Sequence, residues 1–243
     1  MKRILFNIVV ISIICWVILC YGCFEKSRQA PVRPDLGPKQ KAMIEKSLEV
    51  ANTALKKGQS DVAEVNFRKV MEVDPMNRYA IVGIGRIHLA RGQDRVAEEY
   101  FKRALEFYPD FGMPHLFISD IYLSRGKTLG AIRHLRSVKK DDPDYENAIF
   151  SLGRIYLARG RAKGAARLFR KTLGVNPNFQ DAYYYLAMAY ARMGKSGLAI
   201  NALRIAIKMN PMFAFQAEVE PSFENLKTNP AFRQIITQLK SRK

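Results

Sequence analysis

Three cysteines, three histidines and scattered carboxylates are the first side chains to weigh for metal, redox or acid–base chemistry, and their positions restrict each. Cys15, Cys20 and Cys23 all fall in the first 23 of 243 residues. The rest of the chain can therefore form neither a disulfide framework nor a cysteine-based zinc site. His88, His115 and His134 are widely spaced in sequence. His88 reads as a core histidine, because it occupies a position where tyrosines recur later. Val82-Gly83-Ile84-Gly85 contains the GxG of a dinucleotide loop, but within a helical run rather than after a strand. Asp141-Asp142-Pro143-Asp144 reads as a turn, since a calcium site would need more oxygens in a defined loop. No nucleophile, base and orienting group come together, so no catalysis, cofactor, metal or small-molecule substrate is expected. The chemistry left is binding.

The N-terminal segment bears on where such binding would take place. Lys2-Arg3 precede an apolar run from Ile4 to Leu19 broken only by Asn7 and Ser12, a membrane-directed leader. Leu19-Cys20-Tyr21-Gly22-Cys23 resembles a bacterial lipobox, with Cys23 as the lipid acceptor, although Cys20 and Tyr21 depart from the usual residues. An uncleaved anchor and ordinary signal cleavage are the alternatives. Residues 24–43 form a linker and the start of the first helix, with Pro31, Pro34, Gly37 and Pro38 among charges. Lys26, Arg28, Arg33, Lys39 and Lys41 outnumber Lys2 and Arg3, so an uncleaved anchor would tend to keep the following domain in the cytoplasm. A lipoprotein would instead face the periplasm.

The elements that must position any binding residues announce themselves by a period. Glycine recurs at 58, 92, 126, 160 and 194, proline at 75, 109, 143, 177 and 211, and alanine at 63, 97, 131, 165 and 199, each step being 34 residues. Every unit resembles the tetratricopeptide repeat, a helix-turn-helix of this length. The resemblance implies an all-α, right-handed α-solenoid of about twelve helices. Its five repeats would span 44–77, 78–111, 112–145, 146–179 and 180–213, followed by a C-terminal helical cap at 214–243. Glycine would end the first helix of each repeat and proline the second. Small residues at the eighth place (Ala51, Gly85, Ser119, Gly153 and Ala187) would let the two helices approach, with Val50, Ile84, Ile118, Leu152 and Leu186 as large packers beside them and Phe67, Phe101, Leu135, Phe169 and Leu203 on the second helix. In the cap, Pro221 and Pro230 suit first helical positions, and Phe223, Leu226, Phe232, Ile235, Ile236 and Leu239 form an apolar stripe.

Carried residue by residue, the resemblance assigns a concave groove for a peptide or partner helix. Its lining would include Tyr79, Val82 and Arg86, then Leu116, Phe117 and Asp120, then Phe150 and Arg154, then Tyr184, Tyr185 and Met188. The lysine and asparagine clamp that some relatives use for a C-terminal carboxylate is absent there, so an apolar segment anchored by aromatics and paired to two arginines is expected.

Charge adds a second surface. The chain carries a formal +18, and the fourth repeat alone has seven cations against one acid. Lys163, Arg167, Arg170 and Lys171 fall on one helical stripe, expected on the convex side and suited to anionic head groups or an acidic partner. Nucleic acid is not expected, for want of a recognition motif. Leader, linker and repeats together resemble lipoproteins that assist pilus or secretion-system assembly. That resemblance implies a non-catalytic, membrane-tethered scaffold binding an envelope protein. The alternative is a single-pass inner-membrane adaptor whose cytoplasmic repeats recruit envelope-biosynthesis proteins.

Overall fold

A glycine in the left-handed region closes the first helix of every repeat. In the computed structural model, which describes residues 35–240, Gly58, Gly92, Gly126, Gly160 and Gly194 have φ between +70° and +73°. At each, the following N–H reaches back to a carbonyl five residues earlier, as from Gln59 to Ala54 at 2.9 Å and from Arg161 to Tyr156 at 2.9 Å. This double-bonded helix end satisfies carbonyls that would otherwise be orphaned, and only glycine adopts it without steric cost. The leader, the linker to residue 34 and Cys23 lie outside the described residues.

The twelve α-helices among the described residues pair as expected. They are α1 (Pro38–Lys56) and α2 (Ser60–Val73), α3 (Arg78–Ala90) and α4 (Asp94–Phe107), α5 (Gly112–Ser124) and α6 (Thr128–Ser137), α7 (Tyr145–Ala158) and α8 (Ala162–Val175), and α9 (Gln180–Arg192) and α10 (Ser196–Met209). The cap follows as α11 (Met212–Val219), a 3-10 turn (Pro221–Leu226) and α12 (Pro230–Lys240). No strand occurs among these residues, and no helix among them is long and apolar enough to cross a membrane.

Four of the five second helices lead into a turn that rests on a side chain set just before the proline; before Pro109 that place is Tyr108. Asp74, Asp142, Asn176 and Asn210 each accept a hydrogen bond from the N–H two residues on, at 2.7–3.2 Å. Such a bond, followed by a proline that disfavours helix before it, stops the second helix and turns the chain. The third repeat departs from this pattern. There α6 ends at Ser137, six residues before Pro143 rather than two, as α2 does before Pro75. The apolar residue that anchors the last turn elsewhere (Met71, Leu105, Leu173 or Ile207) is Lys139 here, which leaves the helix to pair with Asp110 at 2.6 Å.

Packing within each repeat joins a ring to a gap. A Cβ on Gly85 would lie 2.6 Å from the Phe101 ring, and one on Gly153 would lie 2.5 Å from the Phe169 ring. The GxG of α3 is therefore a pair of packing notches, Gly83 receiving Phe67 from the preceding repeat and Gly85 receiving Phe101 from its own. Val50 is 40% exposed rather than a core packer, because no earlier helix among the described residues covers α1. In the cap, Phe223, Leu226, Phe232, Ile235 and Ile236 are buried as the stripe implies; the side chain of Leu239 lies outside the described residues.

The solenoid also joins two histidines that lie 19 residues apart. His115 Nδ1 and His134 Nδ1 are 3.0 Å from each other, and His115 Nε2 faces the Pro109 carbonyl at 3.4 Å. His88 is only half-buried; its Nδ1 lies 2.5 Å from Gln93 Oε1 and its ring stacks on Tyr100. Burial lowers the pKa of His115 against the pull of the Pro109 carbonyl, Asp142 and Asp110; burial, then the charges of His115, Arg133 and Lys102, lowers that of His134 against Glu98. Depressed folded values mean that the unfolded chain takes up protons first, so stability falls as pH drops below the ordinary histidine value of 6.5. We expect the thermal midpoint to fall between about pH 7.5 and about pH 5.5, and His134→Gln to remove at least about half of that fall. An unchanged slope in the variant, measured by circular dichroism melts, would place the titration elsewhere.

Candidate partner-binding groove

The first helices of successive repeats, α3, α5, α7 and α9, bring most of the expected groove residues into one series. Arg86, at the ninth place of its repeat, lies 5.8 Å over the ring of Phe117, at the sixth place of the next. Two repeats on, the same pair of places recurs. Arg154 lies 5.6 Å over Tyr185 and 6.0 Å over Phe150. A guanidinium held over a ring keeps its edge N–H groups free for a carboxylate or carbonyl.

Between these two stations the ninth place is Asp120. It lines a cleft of about 360 Å³ with Leu123, Thr128, Ser151, Arg154, Ile155 and Arg159. Partial desolvation raises the Asp120 carboxyl above the usual aspartate range, and the nearby Arg154 charge opposes that rise. Along the solenoid the surface thus alternates cation on ring, carboxyl in cleft, cation on ring. Phe150 is half-buried, meeting Phe169, Phe179 and Tyr185 with centroids 4.8–5.7 Å away. Tyr79, 44% exposed, meets Phe111 edge-on, and the Arg78 guanidinium lies over both rings. Leu116 is half-buried against the core between the third and fourth repeats.

Three expected groove residues are not available to a partner. Val82 is 1% exposed, packed in the core that joins the second and third repeats. Tyr184, 6% exposed, stacks on Phe213 at 4.8 Å and meets Phe223 edge-on at 5.8 Å. Burial raises its phenol pKa. Met188, 7% exposed, belongs to the same core cluster. The chain's own cap covers the fifth repeat, as Arg192 Nε donating to Ser222 Oγ at 2.8 Å also shows. The open groove therefore runs from Tyr79 to Tyr185. Phe111, Phe179 and Arg78 were not among the expected residues. The signal for the two rings was present at the last place of the second to fifth repeats, which reads Phe111, Tyr145, Phe179 and Phe213 at the 34-residue step, against Asn77 in the first.

On the other side, Lys163, Arg167, Arg170 and Lys171 are all exposed on α8, opposite the buried Ala165, Phe169 and Thr172. No group of three or more His, Cys, Asp or Glu side chains suited to a metal occurs among the described residues.

Sequence models of the tetratricopeptide repeat match residues 48–110, 116–181 and 181–211, well over half of the chain. The chain belongs to the tetratricopeptide-repeat family. Solved structures agree on the fold of this tetratricopeptide-repeat protein. It is similar to PilW, a widely conserved type IV pilus biogenesis factor, with TM-score 0.67 and 15% identity over 85% of this chain and 94% of that one. It is similar to pilF of Pseudomonas aeruginosa, with TM-score 0.62 and 15% identity over 84% and 100% of the two chains. YrrB, a repeat protein with an unusual peptide-binding site, gives TM-score 0.51 and 21% identity over 75% and 98%. At these identities the likeness is one of fold. No significant match was found among curated proteins. Tetratricopeptide repeats are generally protein-interaction scaffolds.

Proposed function

We propose that this protein is a membrane-tethered scaffold whose concave face holds a segment of an envelope protein. The observation that carries the reading is the spaced series Arg86 on Phe117, Asp120 in its cleft and Arg154 on Tyr185, open along the groove while the cap fills the fifth repeat. An extended or helical segment with apolar anchors, an acid near each end and a donor between them complements that series. The lipobox-like Cys23 and the linker supply a tether on the periplasmic side. The fold shared with PilW and pilF supports a role in assembling a pilus or secretion machine.

The cations that follow the apolar run favour a second reading, an uncleaved inner-membrane anchor with the repeats in the cytoplasm. One experiment separates the two. Under the lipoprotein reading, Cys23→Ala abolishes palmitate labelling and the leader is no longer removed. A wild-type chain that carries no label and retains its leader would sink the lipoprotein reading and support the anchor.

A further inference from the structure

The outer face of the junction between the third and fourth repeats departs from a rule that the earlier junctions obey. At the first junction, Glu64 binds Arg68 one turn on and Arg91 of the next repeat, both at 2.6 Å. At the second, Glu98 does the same for Lys102, at 2.6 Å, and Arg125. These contacts hold the Glu64 carboxyl below its usual range, chiefly through Arg68; Glu98 is also held low, burial opposing Lys102 and Arg125. Stepping on by 34 residues, both cations recur as Arg136 and Arg159, but the glutamate has become Ile132.

The loss is not made good nearby. Between Glu146 and Asp181 the chain has seven cations and no acid. Neither Arg136, Arg159, Arg161, Lys163, Arg167 nor Lys171 takes part in an ion pair among the described residues. These cations also line concavities rather than a smooth helix face. Arg136, Tyr156, Arg167 and Lys171 border a cavity of about 310 Å³ between α6 and α8. Arg161, Lys163, Arg167 and the same Tyr156 border a neighbouring one of about 420 Å³.

Tyr156 is the shared wall and fixes the donors around it. Arg136 donates to its hydroxyl at 3.0 Å, and the Arg161 guanidinium lies 5.9 Å over its ring. The ring lies close against the first turn of α8 because position 164 is glycine, whose Cβ would fall 2.8 Å from it. Arginines tied to a tyrosine are held near one another despite their repulsion, and a multivalent anion relieves that repulsion best.

We propose that this outer face is a binding site for phosphate groups, either of a phospholipid headgroup or of a soluble phosphate compound. The donors supply arginine forks and lysine point charges around two adjacent concavities, each large enough to admit a phosphate group. A phosphate there meets Arg136, one of the two cations that the missing glutamate leaves without a carboxylate partner. Arg159 lines the groove cleft instead and is not part of this site, which therefore depends neither on the groove nor on the way in which the chain is tethered.

Hydrogen exchange on the full-length chain tests it in two arms. In neutral detergent at constant ionic strength, inorganic pyrophosphate at about ten times its apparent Kd is expected to slow opening of the 159–171 segment by about tenfold. In nanodiscs, the same segment is expected to exchange more slowly with phosphatidylglycerol present than in phosphatidylcholine alone. Protection by pyrophosphate assigns a soluble source, and protection in anionic discs only assigns a lipid headgroup. Arg167→Gln with Lys171→Gln, both at exposed positions, should abolish the effect. Ile132→Glu, which restores the carboxylate, should weaken it. No protection in either arm, protection that survives both variants, or equal protection by polyglutamate would overturn the proposal.

Discussion

Phe169→Ala is expected to lower the free energy of unfolding by about 3–5 kcal/mol, the range for emptying a large aromatic from a packed interior. Phe169 is fully buried. Its ring fills the notch at Gly153, where not even a methyl would fit, and meets Phe150 and Tyr185 with centroids 5.7 Å away. Neighbouring backbone cannot collapse into the gap without bringing α7 and α8 together, so the cavity term stays large. Since each repeat is stabilised mainly by its neighbours, the loss should appear as a lower urea midpoint across the fourth and fifth repeats. A change below about 1 kcal/mol would mean that the ring-in-notch contact does not organise the stack. The variant should also weaken partner binding, because Phe150 and Tyr185 lean on the same ring.

Reversing both groove arginines, Arg86→Glu with Arg154→Glu, is expected to reduce partner affinity by at least about a hundredfold, or about 2.7 kcal/mol. Neither side chain joins an ion pair among the described residues, so the thermal midpoint should move little. Removing the rings is a less clean test than the sequence suggests. Phe117 stacks on Phe101 at 4.9 Å and Tyr185 packs on Phe150. Phe117→Ala and Tyr185→Ala should each cost about 1–2 kcal/mol of stability as well as binding. Binding that survives the double arginine reversal would move the contact face away from α3, α5, α7 and α9.

Much of this architecture was legible because the repeat imposes local rules. Gly58 and its successors need a positive φ, Pro75 and its successors end helices, and Phe101 needs a small residue opposite. Each rule acts within about one 34-residue unit, where sequence spacing translates directly into contact. The failures share a cause of the opposite kind. Tyr184 and Met188 occupy groove places, but a cap packed across α9 covers them, and the fold of a repeat does not specify where a cap lies. Val82 occupies a groove place too, yet the following repeat buries it. The nearness of His115 to His134 comes from the packing of α5 on α6 within one repeat, while the Phe111 and Phe179 rim and the loss of one glutamate at position 132 show only when places are compared across repeats.

The central claim is that a partner segment lies along the concave face between Arg86 and Tyr185. Photo-crosslinking in intact cells tests it most directly, with benzoylphenylalanine placed at Ser151, in the cleft beside Asp120, and separately at Arg204, exposed on α10. One dominant protein adduct is expected from position 151, lost when Arg86→Glu and Arg154→Glu are added, and no such adduct from position 204. An adduct of equal yield from position 204, or none from position 151, would contradict it.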